Sequence, residues 1–279
     1  MHTRIDWLSF TLQTTMEPNS PEAFENMAVF RLIREGRKVN DFIFNGFGFA
    51  YCNGRPPYRY GLVREDHGVR IYGGSNTSTI LYECTGRAFD SISDWAEVQA
   101  IIEPIRERVT RLDVATDIDT SLSPDAFVGG GYSPRFKSNG RMESETGITC
   151  YIGSSSSDCF ARVYRYSDPH PRSALLRVEC VYRRDLARSA ARAVISCGTI
   201  QEFAVAANRR FKWAHGIWRP EAITDVQIAA TMANRDSAGT VYWLYKQVAP
   251  AIRSLLEAGG FDLTEWLLFV QGETSDPYT

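Results

Sequence analysis

The chain passes twice through the same order of elements, and this repetition restricts its fold more than any other property of the sequence. A strand-like segment, RIDWLSFTL at 4–12, leads into SPEAFENMAVFRLIREG. There Ser20 is placed to cap a helix and Pro21 to begin it, so a helix is predicted near 21–35. Short strands near 42–52, 58–65, 68–73 and 78–84 follow, separated by NG, PP and GG breakers. A helix over 92–107 closes the pass, with Pro104 set to kink it or end it early. The second pass opens on VTRLDVATDI at 109–118 and repeats the Ser-Pro start at Ser123. It crosses a glycine-rich stretch at 129–147, then gives strands near 148–153, 159–166 and 174–182 and a helix near 184–196.

Two landmarks line up between the passes. Arg4-Ile5-Asp6-Trp7 matches Arg111-Leu112-Asp113-Val114, and GVRIYGGSNTS at 68–78 matches GITCYIGSSSS at 147–157. The sequence therefore predicts an α+β fold of two similar antiparallel-sheet halves with helices packed on them, over 1–108 and 109–198. The remainder, 199–279, reads as helical, with helices near 199–212, 220–234, 238–258 and 262–271.

Composition narrows the function. The 279 residues are 44% hydrophobic and 23% charged, with a net charge of -2, and hold no apolar run of membrane-spanning length. The first residues alternate like a strand, unlike a signal peptide, and the six scattered cysteines include no C-x-x-C pair, so a cytoplasmic location with reduced thiols is expected. The four histidines are isolated, which excludes an H-E-x-x-H zinc site and a His-x-His metal pair. Near-neutral charge argues mildly against nucleic acid, but the charge is uneven. Between 177 and 212 stand eight basic residues against three acids, and Arg184, Arg188 and Arg192 form one helical stripe. A solvated helix face has the same pattern.

Three strands hold side chains able to do chemistry. In RLDVATDID, Asp113 and Asp117 share a face, and LLRVECVYRR puts Glu179 on an otherwise apolar strand. Together these acids would form an oxygen-rich site suited to Mg²⁺ or Mn²⁺. In FARVYRY, Arg162, Tyr164 and Tyr166 share a face. A tyrosine beside such a site can attack a phosphodiester while Arg162 grips a phosphate; cross-strand packing is the commoner use of strand tyrosines.

In order, Arg111-Leu112-Asp113-Val114-Ala115-Thr116-Asp117, Tyr151-Ile152-Gly153-Ser154, Arg162-Val163-Tyr164 and Leu176-Arg177-Val178-Glu179 resemble the replication initiation factor family of rolling-circle plasmids and filamentous phages, which includes related relaxases. The resemblance covers about 60–200, where Gly86-Arg87-Ala88 also matches a short glycine motif; 1–59 match only in layout and 200–279 hardly at all. It implies a saddle of two similar sheet halves and a metal-dependent DNA strand transferase, an endonuclease that nicks origin DNA through a 5′-phosphotyrosyl link. Carried over, Tyr164 is the nucleophile, with Tyr166 as its rival and Arg162 beside them, and Asp113, Asp117 and Glu179 hold Mg²⁺ or Mn²⁺. Two positions depart from the family, Ser155 and Tyr166, where basic residues are common. For DNA binding, Arg177, Arg184, Arg188, Arg192, Arg209, Arg210 and Lys212 are the expected backbone contacts. Partners to test are origin DNA, a host helicase and a second copy of the chain. A DNA-binding protein without nicking activity, a repressor or assembly factor, is the alternative.

Overall fold

The computed structural model describes residues 1–44, 48–74, 78–129, 139–144, 147–166 and 174–211, together with Ile228, Arg253, Ser254 and Glu257. The chain divides into two compact units, Met1–Thr231 and Met232–Thr279. In the second, the described residues are Arg253, Ser254 and Glu257, all helical and exposed. The helices expected near 220–234, 238–258 and 262–271 fall otherwise outside the described residues, apart from the isolated Ile228.

In the first unit, β1 (His2–Gln13) leads into α1 (Pro21–Glu35) and α2 (Arg37–Phe44). Four short strands follow: β2 (Ala50–Asn53), β3 (Tyr60–Arg64), β4 (Val69–Gly73) and β5 (Thr79–Thr85). A 3₁₀ turn over Gly86–Phe89 and the helix α3 (Trp95–Ile102) complete the pass, and α3 passes into 3₁₀ geometry at Glu103–Arg108, where Pro104 removes a helical donor. The second pass runs β6 (Val109–Asp119), α4 (Pro124–Val128), β7 (Asn139–Ser144), β8 (Gly147–Ile152), β9 (Cys159–Arg165), β10 (Leu175–Arg183), α5 (Arg184–Ser196) and α6 (Ile200–Asn208). Both Ser-Pro starts cap as expected: Ser20 Oγ accepts the Ala23 N–H at 3.1 Å and Ser123 Oγ accepts the Ala126 N–H at 3.2 Å.

The ten strands form one antiparallel sheet in the order β2-β3-β4-β5-β1-β6-β10-β9-β8-β7. In each pass the first strand pairs with the last, and the other three step outward from it. The two passes meet where β1 pairs antiparallel with β6. The order alone therefore makes β1 equivalent to β6, β5 to β10, β4 to β9, β3 to β8 and β2 to β7.

Two expectations need correction. Matching GVRIYGGSNTS to GITCYIGSSSS equates β4 with β8, one strand out of step, because a shared glycine-serine turn outweighed strand order. The segment expected to be a strand near 42–52 is helical to Phe44, because Val39 and Ile43, four apart, bury one face of α2 in the core. The glycine-rich stretch also hides a strand, β7, whose polar sequence NGRMES carries little hydrophobic signal.

One face of the sheet supports the core. Leu8, Phe10, Leu112, Val114, Cys180 and Tyr182 lie in a single buried cluster with Phe24 and Leu32 of α1, Val98 of α3 and Ala190 and Val194 of α5. Tyr82 also seals this layer, donating its hydroxyl to the Ala28 carbonyl at 2.9 Å while stacking on Phe10. Burying such side chains contributes about 1.5–3 kcal/mol each.

Candidate active site

Along β6, β9 and β10 the side chains alternate between that core and the opposite face. Leu112, Val114, Val178, Cys180, Ala161 and Val163 point inward. The residues between them, Arg111, Asp113, Asp117, Arg177, Glu179, Arg162 and Tyr164, share the other face, and strand register decides which of them meet.

Glu179 stands directly opposite Arg162. Its carboxylate accepts from Arg162 Nε at 2.7 Å and, through its second oxygen, from Arg162 Nη2. The Tyr164 hydroxyl donates to the first of these oxygens at 3.2 Å. Tyrosine, glutamate and arginine thus form one connected group, with Glu179 fully buried. Burial, and then the Glu179 charge, push the Tyr164 phenol well above the ordinary tyrosine range. The resting side chain is therefore a neutral phenol that needs a base to attack.

Tyr166 packs edge-on against Tyr164, with ring centroids 5.6 Å apart, and the Arg177 guanidinium lies 4.9 Å from its ring centroid. Tyr166 lines a cavity of about 680 Å³ together with Arg4, Trp7, Arg87, Arg162 and Arg177. Arg111 covers the Trp7 ring at 4.6 Å. Sequence reasoning missed Arg4, Trp7 and Arg111 as parts of this site, although the recurring Arg-x-Asp pattern pointed to two of them.

Asp6, Asp113, Asp117 and Glu179 are each bonded to an arginine. Arg177 lies directly across from Asp117 and binds it fork to fork at 2.7 and 2.8 Å. Its remaining nitrogen reaches Asp6 at 2.9 Å, and Asp6 also pairs with Arg4 at 3.1 Å. A Cβ on Gly86 would lie 2.7 Å from the Asp6 Oδ1, so glycine there leaves room for these pairs. Asp113 accepts three bonds from Arg111, at 2.5–3.1 Å. Burial nevertheless pushes the Asp113 carboxyl up to about 7, against the pull of Arg111.

The acids expected to hold Mg²⁺ or Mn²⁺, Asp113, Asp117 and Glu179, do share a face, and their hard oxygens suit such ions. They are not arranged as a ligand group. Each faces a different guanidinium, and among the described residues no three His, Cys, Asp or Glu side chains group around a common point. As placed they do not fit a divalent ion, because arginines occupy the positions a cation would take.

The expected DNA contacts are scattered. Arg177 is 1% exposed and committed to Asp117 and Asp6, so it ties β10 to β6 and β1. Arg184, Arg188 and Arg192 lie on α5, on the core side of the sheet, and pair with Asp158, Asp185 and Glu107. Arg209 follows α6, Arg210 donates to the Ile228 carbonyl at 2.9 Å, and Lys212 lies outside the described residues. Ser155 gives its carbonyl to Arg183, and Arg165, on the face opposite Tyr164, bonds the carbonyls of Thr120, Leu122 and Ala174. Arg165 therefore supplies no charge beside the tyrosines.

No protein-family model matches the sequence, and comparison with curated proteins finds no match. Among solved structures, the chain is similar to the rolling circle replication initiator protein from Geobacillus stearothermophilus, with a TM-score of 0.53 and 19% identity over 82% of this chain and 99% of that one. At that identity the likeness concerns the fold. Among the described residues no helix is long and apolar enough to cross a membrane.

Proposed function

We propose that the chain is a rolling-circle replication initiator that nicks and rejoins one strand of origin DNA through Tyr164. The observation that carries this reading is the Tyr164–Glu179–Arg162 group: a phenol already donating to a buried carboxylate that an arginine holds in place. The likeness of fold to a rolling circle replication initiator supports it.

The chemistry follows from these contacts. The Tyr164 proton passes to Glu179 as the phenol oxygen attacks phosphorus. The bond from phosphorus to the 3′-oxygen breaks, and that oxygen leaves as a 3′-OH after taking a proton from solvent. A protonated Glu179 holds Arg162 less tightly, which frees the guanidinium for the phosphoryl oxygens as their charge develops. The reverse sequence rejoins the strand. A divalent-ion requirement, implied by the resemblance, enters as a variable of the test and in no step here.

Nicking of origin DNA should leave a 5′-phosphate on the protein, detectable as a labelled adduct with and without Mg²⁺ or Mn²⁺. Tyr164→Phe should abolish the adduct and spare DNA binding. An undiminished adduct in that variant would move the nucleophile to Tyr166, which the cavity exposes to a ligand.

A second reading, sequence-specific DNA binding without nicking, is favoured by one observation: Asp113, Asp117 and Glu179 are all held by arginines. Binding of supercoiled origin DNA with no nick in either metal would select it.

A further inference from the structure

The sheet order that equates β4 with β9 and β5 with β10 uncovers a second copy of the site's pattern. Arg162-Val163-Tyr164 on β9 faces Glu179 of β10, with Arg162 directly opposite Glu179. On β4 the same pattern is Arg70-Ile71-Tyr72, and Arg70 stands directly opposite Glu83 of β5. The two groups occupy matching places on the same face of one sheet. Both glutamates are buried among apolar neighbours, Glu83 at 6% exposure and Glu179 at 0%. A buried acid on an apolar strand is costly without a partner, and each has an arginine. For Glu83 that partner is Arg55, at 2.8 Å.

The copies differ in ways that bear on their chemistry. Arg70 turns to the exposed Glu65, and Arg55 takes its place at Glu83, with its guanidinium 4.9 Å from the Tyr72 ring centroid. Tyr72 is 8% exposed, and burial followed by the Glu83 charge raises its phenol. Among the described residues its hydroxyl makes no hydrogen bond, whereas Tyr164 donates to Glu179. The tyrosine of the first copy is therefore not joined to a base. The counterpart of Arg177, two residues before the glutamate, is Leu81. Yet the cationic side of the pattern is kept: Arg70, Arg87 and Arg162 line the same cavity of about 680 Å³, and Arg87 donates to the Glu65 carbonyl at 2.7 Å.

We propose that Arg70, Tyr72, Arg55 and Arg87 form a second, non-cleaving site for a phosphodiester of single-stranded DNA. Guanidinium groups beside a phenol with an unengaged hydroxyl supply charge-assisted bonds to phosphate oxygens, and Trp7 of the shared cavity gives a base a ring to stack on. The relation between the halves also sets the direction of the strand. Because β1 and β6 meet antiparallel, an approximate two-fold relates the two sites. A two-fold turns a DNA strand into one of opposite polarity. The second site therefore takes a second strand segment, antiparallel to the one held at Tyr164. The assignment rests on the reading of Tyr164 as the nicking site for its neighbour, but not for its own binding.

The full chain carrying Tyr164→Phe is titrated with a short labelled single strand, and the number bound per chain is measured by calorimetry. Two strands per chain are expected, and one would overturn the proposal. Adding Tyr72→Phe removes a hydroxyl that has no hydrogen-bond partner among the described residues, so a merely structural tyrosine predicts unchanged binding. The proposal predicts one of the two affinities falling about tenfold, with the thermal midpoint kept, because a hydrogen bond to a charged group contributes about that much. Arg70→Ala, which breaks an exposed pair with Glu65, should weaken the same event; unchanged values in both variants would refute the site. Separately, nicking by the unaltered protein should give an adduct that maps to Tyr164. An adduct mapped to Tyr72 would overturn the non-cleaving assignment, while absence of any adduct with two strands bound would refute only the nicking role of Tyr164.

Discussion

Replacing Arg177 by methionine should cost more stability than any other single change on the charged face. Arg177 is 1% exposed, and the side chain of Asp117, to which it is bonded fork to fork, is 3% exposed. Its other partner, Asp6, keeps Arg4 when Arg177 is lost. Arg177→Met therefore breaks a buried ion pair by removing one partner, a change that costs about 3–5 kcal/mol. Against a typical total of about 5–15 kcal/mol, that is a large share. Replacing both partners, Arg177→Met with Asp117→Leu, removes the charge and its need together and should return to within about 1 kcal/mol of the original protein. Tryptophan fluorescence in urea gives each value, and the cycle should show coupling of about 3 kcal/mol. The sign with pH is fixed. Removing Arg177 takes two charged hydrogen bonds from the Asp117 carboxylate, so the loss should be greatest at neutral pH and ease as pH falls toward the unfolded carboxyl value of about 3.9. A single variant within about 0.5 kcal/mol of the original, or a double as unstable as the single, would refute the account of Arg177 as a buried tie.

Asp113 gives a second pH effect with a defined window. Its folded carboxyl is pushed up to about 7 by burial, above its unfolded value, so stability should fall as pH rises from about 4 to 7 and level off beyond. Asp113→Asn should flatten that slope in urea titrations across the same range; an unchanged slope would assign it to another group. The α5 stripe separates two DNA geometries. Changing Arg184, Arg188 and Arg192 together to alanine should leave the salt dependence of a short single strand unaltered, because the stripe lies across the sheet from Tyr164. With a long duplex able to wrap round the sheet edge, the salt slope should fall by up to about three. A shift with the short strand would place the stripe in the site itself.

Local signals were readable because local physics sets them. The Ser20 and Ser123 caps, the Pro104 break and the alternation that puts Arg162 and Tyr164 on one face depend on neighbours within a few residues. Polar β7 and the short α2 were not readable: one lacks an apolar stripe, and the other has too few turns for its period to outweigh the run FIF. The Arg-x-Asp pair of Arg111 and Asp113 was visible as spacing, since residues two apart on a strand share a face. The ties of Arg162 to Glu179 and Arg177 to Asp117 were not, because each joins different strands and depends on their register.

The sequence by itself determined an α+β chain and, within each strand, which side chains share a face, Asp113 with Asp117 and Arg162 with Tyr164, because strand alternation is a property of the backbone. Only the tertiary structure decided that these acids bind arginines and are not grouped around a metal, and that Arg70-Ile71-Tyr72 is the counterpart of Arg162-Val163-Tyr164. Both depend on the order and register of strands far apart in the chain. Hydrogen bonding between strands sets them, and no pattern within one strand encodes its neighbour.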